Sequence, residues 1–95
     1  MFLVSITYRA PLHEVEATRP AHRAWLDELA RRNLILVGGP VVDHSGGVVI
    51  MLHTTRADLD NDLAADPYLI DRLATHDVVE FEPRLRVIPS DDLGG

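Results

Sequence analysis

The order of strand-like and helix-like patterns constrains the fold of this 95-residue chain more than any other feature. Residues 2–8 alternate with period two and are rich in β-branched and aromatic side chains, which predicts a strand. Residues 12–33 predict a helical region. Because proline fits the first turn of a helix but not its interior, we expect a restart near Pro20, with Thr18 as its cap.

Two further strands follow the helical region. The apolar run at 34–37 predicts a second strand, closed by the Gly-Gly-Pro run at 38–40. The Asp-His-Ser-Gly-Gly run at 43–47 is a turn signal that leads into a third predicted strand at 48–53. Because the connection is short, the two strands should form a hairpin.

The second half of the chain predicts two short helices and a last strand. Residues 55–58 have the form of a capping box with Asp in the acidic position, and they open a helix through Ala64. Asp66-Pro67 opens a second short helix, and residues 78–87 predict the last strand. The polar segment 89–95 is expected to be a frayed tail.

The resulting order, β-α-β-β-α-β, predicts a single α+β domain over residues 1–95. Its fold class is a ferredoxin-like sandwich, a four-stranded antiparallel sheet with the helices on one face. The open face would hold Leu3, Ser5 and Thr7, one set from 48–53, and either Val79, Phe81 and Leu85 or Glu80, Glu82 and Arg84. Since a partner copy usually covers a mixed face of this kind, we expect a homodimer.

Composition excludes several function classes. The net charge of −6 argues against nucleic acid as a partner, because that binding needs a basic face. All nine basic residues are arginines, so a lysine Schiff base is excluded, and the absence of cysteine excludes thiolate chemistry. No stretch approaches the ~18 apolar residues of a membrane span, so we expect no membrane partner and a cytoplasmic location.

One polar residue interrupts the apolar stripe of the predicted first helix. At 100° per residue, Leu26 lies roughly 40° from His22 on the helical wheel and Leu29 roughly 20° on the other side. His22 should therefore point at the sheet. It is either a buried histidine whose nitrogens are hydrogen-bonded or a functional group, and the spacing alone favours the first interpretation.

Asp66 has two interpretations that are compatible with each other. Its position directly before a helix-opening proline is that of an ordinary N-cap. Alternatively it orients and charges His22, as the third group does in triad-like sites. A carboxylate that caps a helix still has one oxygen free, so both roles can hold together.

Four further residues give weaker indications of a functional site. Gly39 and Pro40 mark either a simple strand end or a place where the backbone approaches a ligand closely. Tyr8 and Tyr68 either line a pocket with their hydroxyls or are core residues whose hydroxyl group reaches solvent.

The other sequence patterns do not indicate a particular chemical function. The remaining histidines, His13, His44, His53 and His76, lack metal-ligand spacing, so no metal is expected. The alternating Glu80/Glu82 and Arg84/Arg86 run is interpreted as a polar stripe on one strand face. No P-loop, GxGxxG or GxSxG motif is present, so nucleotide-dependent and serine-hydrolase chemistry have no support.

Taken together and in order, six segments resemble the YCII-related (YciI-like) proteins: MFLVSITY, RPAHRAWLDEL, LVGGPV, SGGVVIM, ADPYLI and VVEFEPRL. The resemblance implies a dimeric α+β barrel, similar to the muconolactone isomerases, in which two sheets pack face to face. The family's His-Asp pair in a cleft falls on His22 and Asp66, and its Gly-Pro falls on Gly39-Pro40. The resemblance thereby favours a functional His22. One characterised member type is a dehydrochlorinase of chlorinated hydroxyhydroquinones.

These observations together predict a cofactor-free enzyme that acts on a small cyclic or aromatic molecule. His22 would be the general acid/base and Asp66 would fix its tautomer, with elimination or isomerisation as the reaction class. Gly39, Pro40, Tyr68 and Tyr8 would contact the substrate. The alternative is a non-catalytic dimeric module that binds a small molecule or serves as an accessory protein.

Overall fold

The predicted order of strands and helices is confirmed by the computed structural model, which describes residues 1–85. The predicted tail at 89–95 and the end of the predicted last strand lie outside the described residues. The elements are β1 (Phe2–Tyr8), α1 (Leu12–Arg31), β2 (Ile35–Pro40), β3 (Gly46–Met51), α2 (Arg56–Leu63), α3 (Pro67–Ile70) and β4 (Ala74–Glu80). No helix of the described part is long and apolar enough to cross a membrane.

The four strands form one antiparallel sheet in the order β2-β3-β1-β4. β1 is therefore an inner strand, and its alternation determines which sheet face is buried. Phe2, Val4 and Ile6 are buried beneath the helices, whereas Leu3, Ser5 and Thr7 point to the other face and are partly exposed. The structure is the predicted ferredoxin-like α+β sandwich.

Helix α1 covers the buried face of the sheet along one line of side chains. Val15, His22 and Leu29, each seven residues apart, are the buried residues of this helix. Seven residues are close to two helical turns, so the three side chains share one face. His22 thus occupies the core-facing position that the helical wheel predicts.

The predicted restart of the helix at Pro20 is wrong. α1 runs without a break from Leu12 to Arg31 with Pro20 inside it, and Thr18 is a helical residue whose hydroxyl reaches the Asp71 carboxylate at 3.5 Å. An interior proline removes one backbone hydrogen bond. We attribute the unbroken course of α1 through Pro20 to the buried side chains on both sides of it, Val15 before and His22 after.

Both strands of the predicted hairpin also differ in their bounds. The Gly-Gly-Pro run does not close β2 but belongs to it, and Pro40 is tolerated because β2 is an edge strand. β3 covers Gly46–Met51 rather than 48–53, so it begins and ends two residues earlier than predicted. Gly46 crosses β1 so closely that a Cβ atom there would overlap the carbonyl oxygen of Ile6, which explains why glycine starts this strand.

The predicted position of the last strand is wrong by four residues at its start. β4 covers Ala74–Glu80 because it pairs with β1 along its whole length, from Tyr8 opposite Ala74 to Phe2 opposite Glu80. Glu82 and Arg84 therefore lie beyond the strand. They form an exposed ion pair at 2.6 Å rather than a polar stripe on a strand face.

The open face of the sheet mixes apolar and polar side chains, as predicted. In the strand register Leu3 lies between Ile50 of β3 and Val79 of β4, and Ser5 lies between Val48 and Asp77. Of the two sets considered for the last strand, Val79 lies on this face, whereas Phe81 and Leu85 follow the end of β4. Val79 is 56% exposed, so the apolar part of this face is uncovered in the single chain.

Candidate functional site

Asp66 is the N-cap of the short helix α3, as its position before Pro67 predicts. One of its carboxylate oxygens, Oδ1, accepts a hydrogen bond from the backbone N–H of Tyr68 at 3.0 Å. The side chain is fully buried. A buried carboxylate is costly unless it is paired, so Asp66 must have further partners.

Two histidines supply those partners. The distance from Nδ1 of His22 to Oδ1 of Asp66 is 2.7 Å, and the distance from Nε2 of His76 to Oδ2 is 2.8 Å. Both imidazoles are nearly buried, at 10% and 7% side-chain exposure. Asp66 therefore caps a helix and holds two histidines at once.

His76 was not predicted from the sequence as part of this site. The last strand was predicted to begin after it, and His76 was weighed only as a metal ligand. In the observed register His76 pairs with Ile6, and its side chain therefore faces the helices as that of Ile6 does. Among residues 1–85, no group of three or more His, Cys, Asp or Glu side chains is arranged to hold a metal ion.

Which nitrogens of His22 and His76 carry a proton follows from whether the Asp66 carboxyl group is ionised. Burial raises the pKa of Asp66, but the hydrogen bonds from His22 and His76 outweigh burial and lower it to about 2. Asp66 is thus an anion at neutral pH and can only accept hydrogen bonds. It follows that Nδ1 of His22 and Nε2 of His76 are the protonated, donating nitrogens.

Aromatic contacts fix the plane of the His22 ring. The imidazole stacks on Tyr68 with the ring centres 3.9 Å apart and the planes 12° apart, and Trp25 packs at 5.5 Å. Tyr8 meets Tyr68 edge to face at 5.8 Å. With Nδ1 bound to Asp66, the free nitrogen Nε2 has no hydrogen-bond partner within the described residues.

A cavity of about 520 Å³ adjoins His22. This volume is within the ~300–1,000 Å³ range of small-molecule sites. The five predicted site residues other than Asp66 all line it: Tyr8, His22, Gly39, Pro40 and Tyr68. Asp66 is absent from the lining, and its side chain contacts the lining residue His22. A Cβ atom at Gly39 would meet nothing within 4 Å, so the backbone here faces open space.

The other three histidines, for which no metal was expected, have different surroundings. Nε2 of His53 lies 2.7 Å from Asp62, which also binds the Arg32 guanidinium through both oxygens at 3.0 and 3.2 Å. His53 does not line the cavity. Its contact with Asp62 joins the segment after β3 to α2, and the ion pair between Asp62 and Arg32 joins α2 to the C-terminal end of α1. His44 lines the cavity from the hairpin turn, and His13 is exposed on α1.

The low pKa of Asp66 predicts a specific acid sensitivity. An unfolded Asp takes up its proton near pH 4, but folded Asp66 does so only near pH 2. Between these values the unfolded state binds more protons, so the stabilisation from the ionised carboxylate is lost as the pH falls from about 4 to about 2. We expect a loss of roughly 2 kcal/mol in the free energy of unfolding from this group.

Urea unfolding at stepwise pH checks this expectation. Asp66→Asn should be less stable at neutral pH but should show a flatter decline in this window than the unaltered protein. Equal declines in the two proteins would contradict the assigned pKa. Asp43 and Asp62, whose pKa values are also lowered, contribute to both curves alike.

Comparison with known proteins gives one family and one described structural likeness. No curated protein matches the chain significantly. Among solved structures, the 5-chloro-2-hydroxyhydroquinone dehydrochlorinase from Burkholderia phenoliruptrix AC1100, in complex with 2,5-dihydroxybenzoquinone, is similar with a TM-score of 0.74. It is 24% identical, and the match covers 85% of this chain and 92% of that chain, which shows a shared fold. The model of the YCII-related domain matches residues 1–82. The chain therefore belongs to the YCII-related domain family.

Proposed function

We propose that the protein is a cofactor-free enzyme that uses His22 as a general acid/base on a small cyclic or aromatic substrate. The observation that carries the proposal is the 2.7 Å contact between His22 Nδ1 and the buried anion of Asp66, next to a cavity. This contact leaves the lone pair of Nε2 free. It also stabilises the imidazolium that forms when Nε2 takes a proton.

The chemistry that this pair supports is proton abstraction coupled to elimination or isomerisation. In the dehydrochlorination of a chlorinated hydroquinone, a proton first moves from a phenolic oxygen to the chlorinated ring carbon, which makes that carbon saturated. Nε2 then removes an O–H proton conjugated to this carbon, the O–H electrons form a carbonyl while the ring double bond shifts, and chloride leaves with the electrons of the C–Cl bond. In an isomerisation the imidazolium returns the proton to another carbon. Both reactions need one group that gives and accepts a proton, and neither step here uses a cofactor.

The substrate class is supported by the similar dehydrochlorinase rather than by the site alone. That protein is described as acting on a chlorinated hydroxyhydroquinone and as binding a dihydroxybenzoquinone. A planar ring of this size suits a cavity of about 520 Å³. In this proposal Tyr8, Tyr68, Gly39 and Pro40 contact the ring, and the stacked Tyr68 keeps the imidazole plane fixed.

Substitution of the pair tests the proposal. With a panel of halogenated hydroquinones and lactones, we expect His22→Gln and Asp66→Asn each to lower kcat by about 10²–10⁴-fold, the usual contribution of general acid–base catalysis. His13→Gln is the matched control, because it removes an exposed histidine of the same helix outside the cavity. Its activity should equal that of the unaltered protein.

Two results would count against the proposal. Activity that survives in both His22→Gln and Asp66→Asn would show that the pair is not the acid/base. Saturable binding of 2,5-dihydroxybenzoquinone without turnover of any panel member would favour the non-catalytic binding module instead. Near-identical circular dichroism spectra of the variants would exclude unfolding as the cause of lost activity.

We further propose that the active unit is a homodimer formed through the open face of the sheet. Val48 and Val79 on this face are 39% and 56% exposed, and Leu3 lies beside them in the strand register. A second copy would cover these apolar side chains and bring two sheets face to face, as in a dimeric α+β barrel. The proposal agrees with the small size of the chain, which limits the core that one copy buries.

A charge on this face should therefore separate the copies. Val79→Asp places a carboxylate beside Asp77 of the same strand, and we expect light scattering to give the mass of one chain. Val42→Asp, at a 94% exposed position after β2, is the control and should keep twice that mass. A dimer that tolerates Val79→Asp would place the contact elsewhere, and an unaltered protein of single-chain mass would refute the dimer.

A further inference from the structure

Two arginines that line the cavity have no acidic partner within residues 1–85, a property they share with Arg9 and Arg72 outside the cavity. Arg19 and Arg23 both line the cavity, and their i,i+4 spacing puts them on one side of α1. Neither forms an ion pair within the described residues. Four others do, at 2.6–3.0 Å: Arg31 with Glu28, Arg32 with Asp62, Arg56 with Asp60, and Arg84 with Glu82.

Arg19 lines the same cavity as the two tyrosines of the site. The hydroxyls of Tyr68 and Tyr8 lie close enough to its guanidinium to raise the pKa of Arg19. The Tyr68 hydroxyl is buried, and within the described residues it makes no hydrogen bond of ordinary geometry. Neutral hydroxyls do not neutralise a guanidinium, which has five N–H donors. Arg19 thus brings an uncompensated charge and unused donors to the cavity.

The charge of the cavity is opposite to that of the chain. Its lining contains one carboxylate, Glu16, against the two arginines, although the whole chain carries a net charge of −6. Glu16 precedes Arg19 by three residues on α1 but forms no ion pair with it. The other lining is largely apolar and includes Ile6, Leu12 and Leu26. A cavity with a positively charged group beside apolar side chains favours the binding of an anion whose remaining surface is apolar.

We propose that the ligand of this cavity is a small organic anion with a flat apolar body, whose oxyanion is held by Arg19. Arg23, the more exposed of the two, adds charge at the opening. The inference rests on the proposed function and names its substrate class. Arg19 and His22 are three residues apart on α1, so their Cβ atoms are about 5–6 Å apart. One ring-sized molecule therefore spans both groups.

The same placement assigns Arg19 a role in the reaction. When Nε2 of His22 takes a proton from a substrate that carries a conjugated oxygen, negative charge accumulates on that oxygen. A guanidinium that already holds the oxygen stabilises this charge without rearrangement. Arg19 is thus the group that distinguishes an anionic substrate from a neutral molecule of the same shape.

Binding of benzoate and benzamide tests the proposal. The two molecules have nearly the same shape, but only benzoate is an anion at neutral pH. By NMR titration we expect benzoate to bind at least about tenfold more tightly than benzamide, since a charge-assisted hydrogen bond contributes about that much. Arg19→Gln should abolish the difference, and Arg19→Lys should retain part of it.

A control variant separates the role of Arg19 from the general effect of removing a positive charge. Arg31→Gln removes one charge from the same helix outside the cavity and should leave both affinities unchanged. An unaltered benzoate affinity in Arg19→Gln overturns the proposal, as does equal affinity for benzamide or no benzoate binding. Because neither probe reacts, these outcomes are independent of whether His22→Gln and Asp66→Asn lose activity.

Discussion

The hydrogen bonds of the buried Asp66 carboxylate hold both the fold and the candidate site in place. The carboxylate accepts hydrogen bonds from His22 on α1, from the backbone N–H of Tyr68 on α3 and from His76 on β4. Three separate elements thus meet at one side chain. A buried anion is tolerated only when its oxygens are satisfied in this way, and loss of one partner leaves an uncompensated charge that costs several kcal/mol. The contacts that position the site are therefore also contacts that hold the fold together.

This arrangement separates the roles of the two carboxylate oxygens. Oδ1 binds Nδ1 of His22, a residue whose side chain lines the cavity, whereas Oδ2 binds Nε2 of His76. His76 does not line the cavity. Its hydrogen bond prevents the carboxylate from turning away from His22 and keeps Oδ2 from being an unsatisfied buried acceptor. His76 thus positions the pair, and in the function we propose Arg19 supplies the charge that selects the ligand.

The sequence predicted those features that depend on local spacing. The seven-residue line of Val15, His22 and Leu29 is a property of the helix alone, so the inward direction of His22 was predictable. The cap role of Asp66 is likewise determined by the proline that follows it. The order of strands and helices was predicted correctly for the same reason.

Features that depend on pairing between distant residues were not predictable in the same way. The start of β4 is determined by its partner β1, and without that register His76 could not be placed on the inner face. The continuity of α1 through Pro20 depends on packing against the sheet, which outweighs local propensity. The position of Arg19 beside two tyrosines from β1 and α3 also required the folded chain.

The tautomers of His22 and His76 test the central claim most directly. Nitrogen-15 NMR of the two imidazole rings, at a pH where both rings are neutral, reports which nitrogen carries the proton. We predict opposite tautomers, with the proton on Nδ1 in His22 and on Nε2 in His76, and both signals should shift in Asp66→Asn. A His22 ring that is protonated on Nε2, with Nδ1 bare, would contradict this prediction, because the nitrogen that faces the cavity would then have no lone pair to accept a proton.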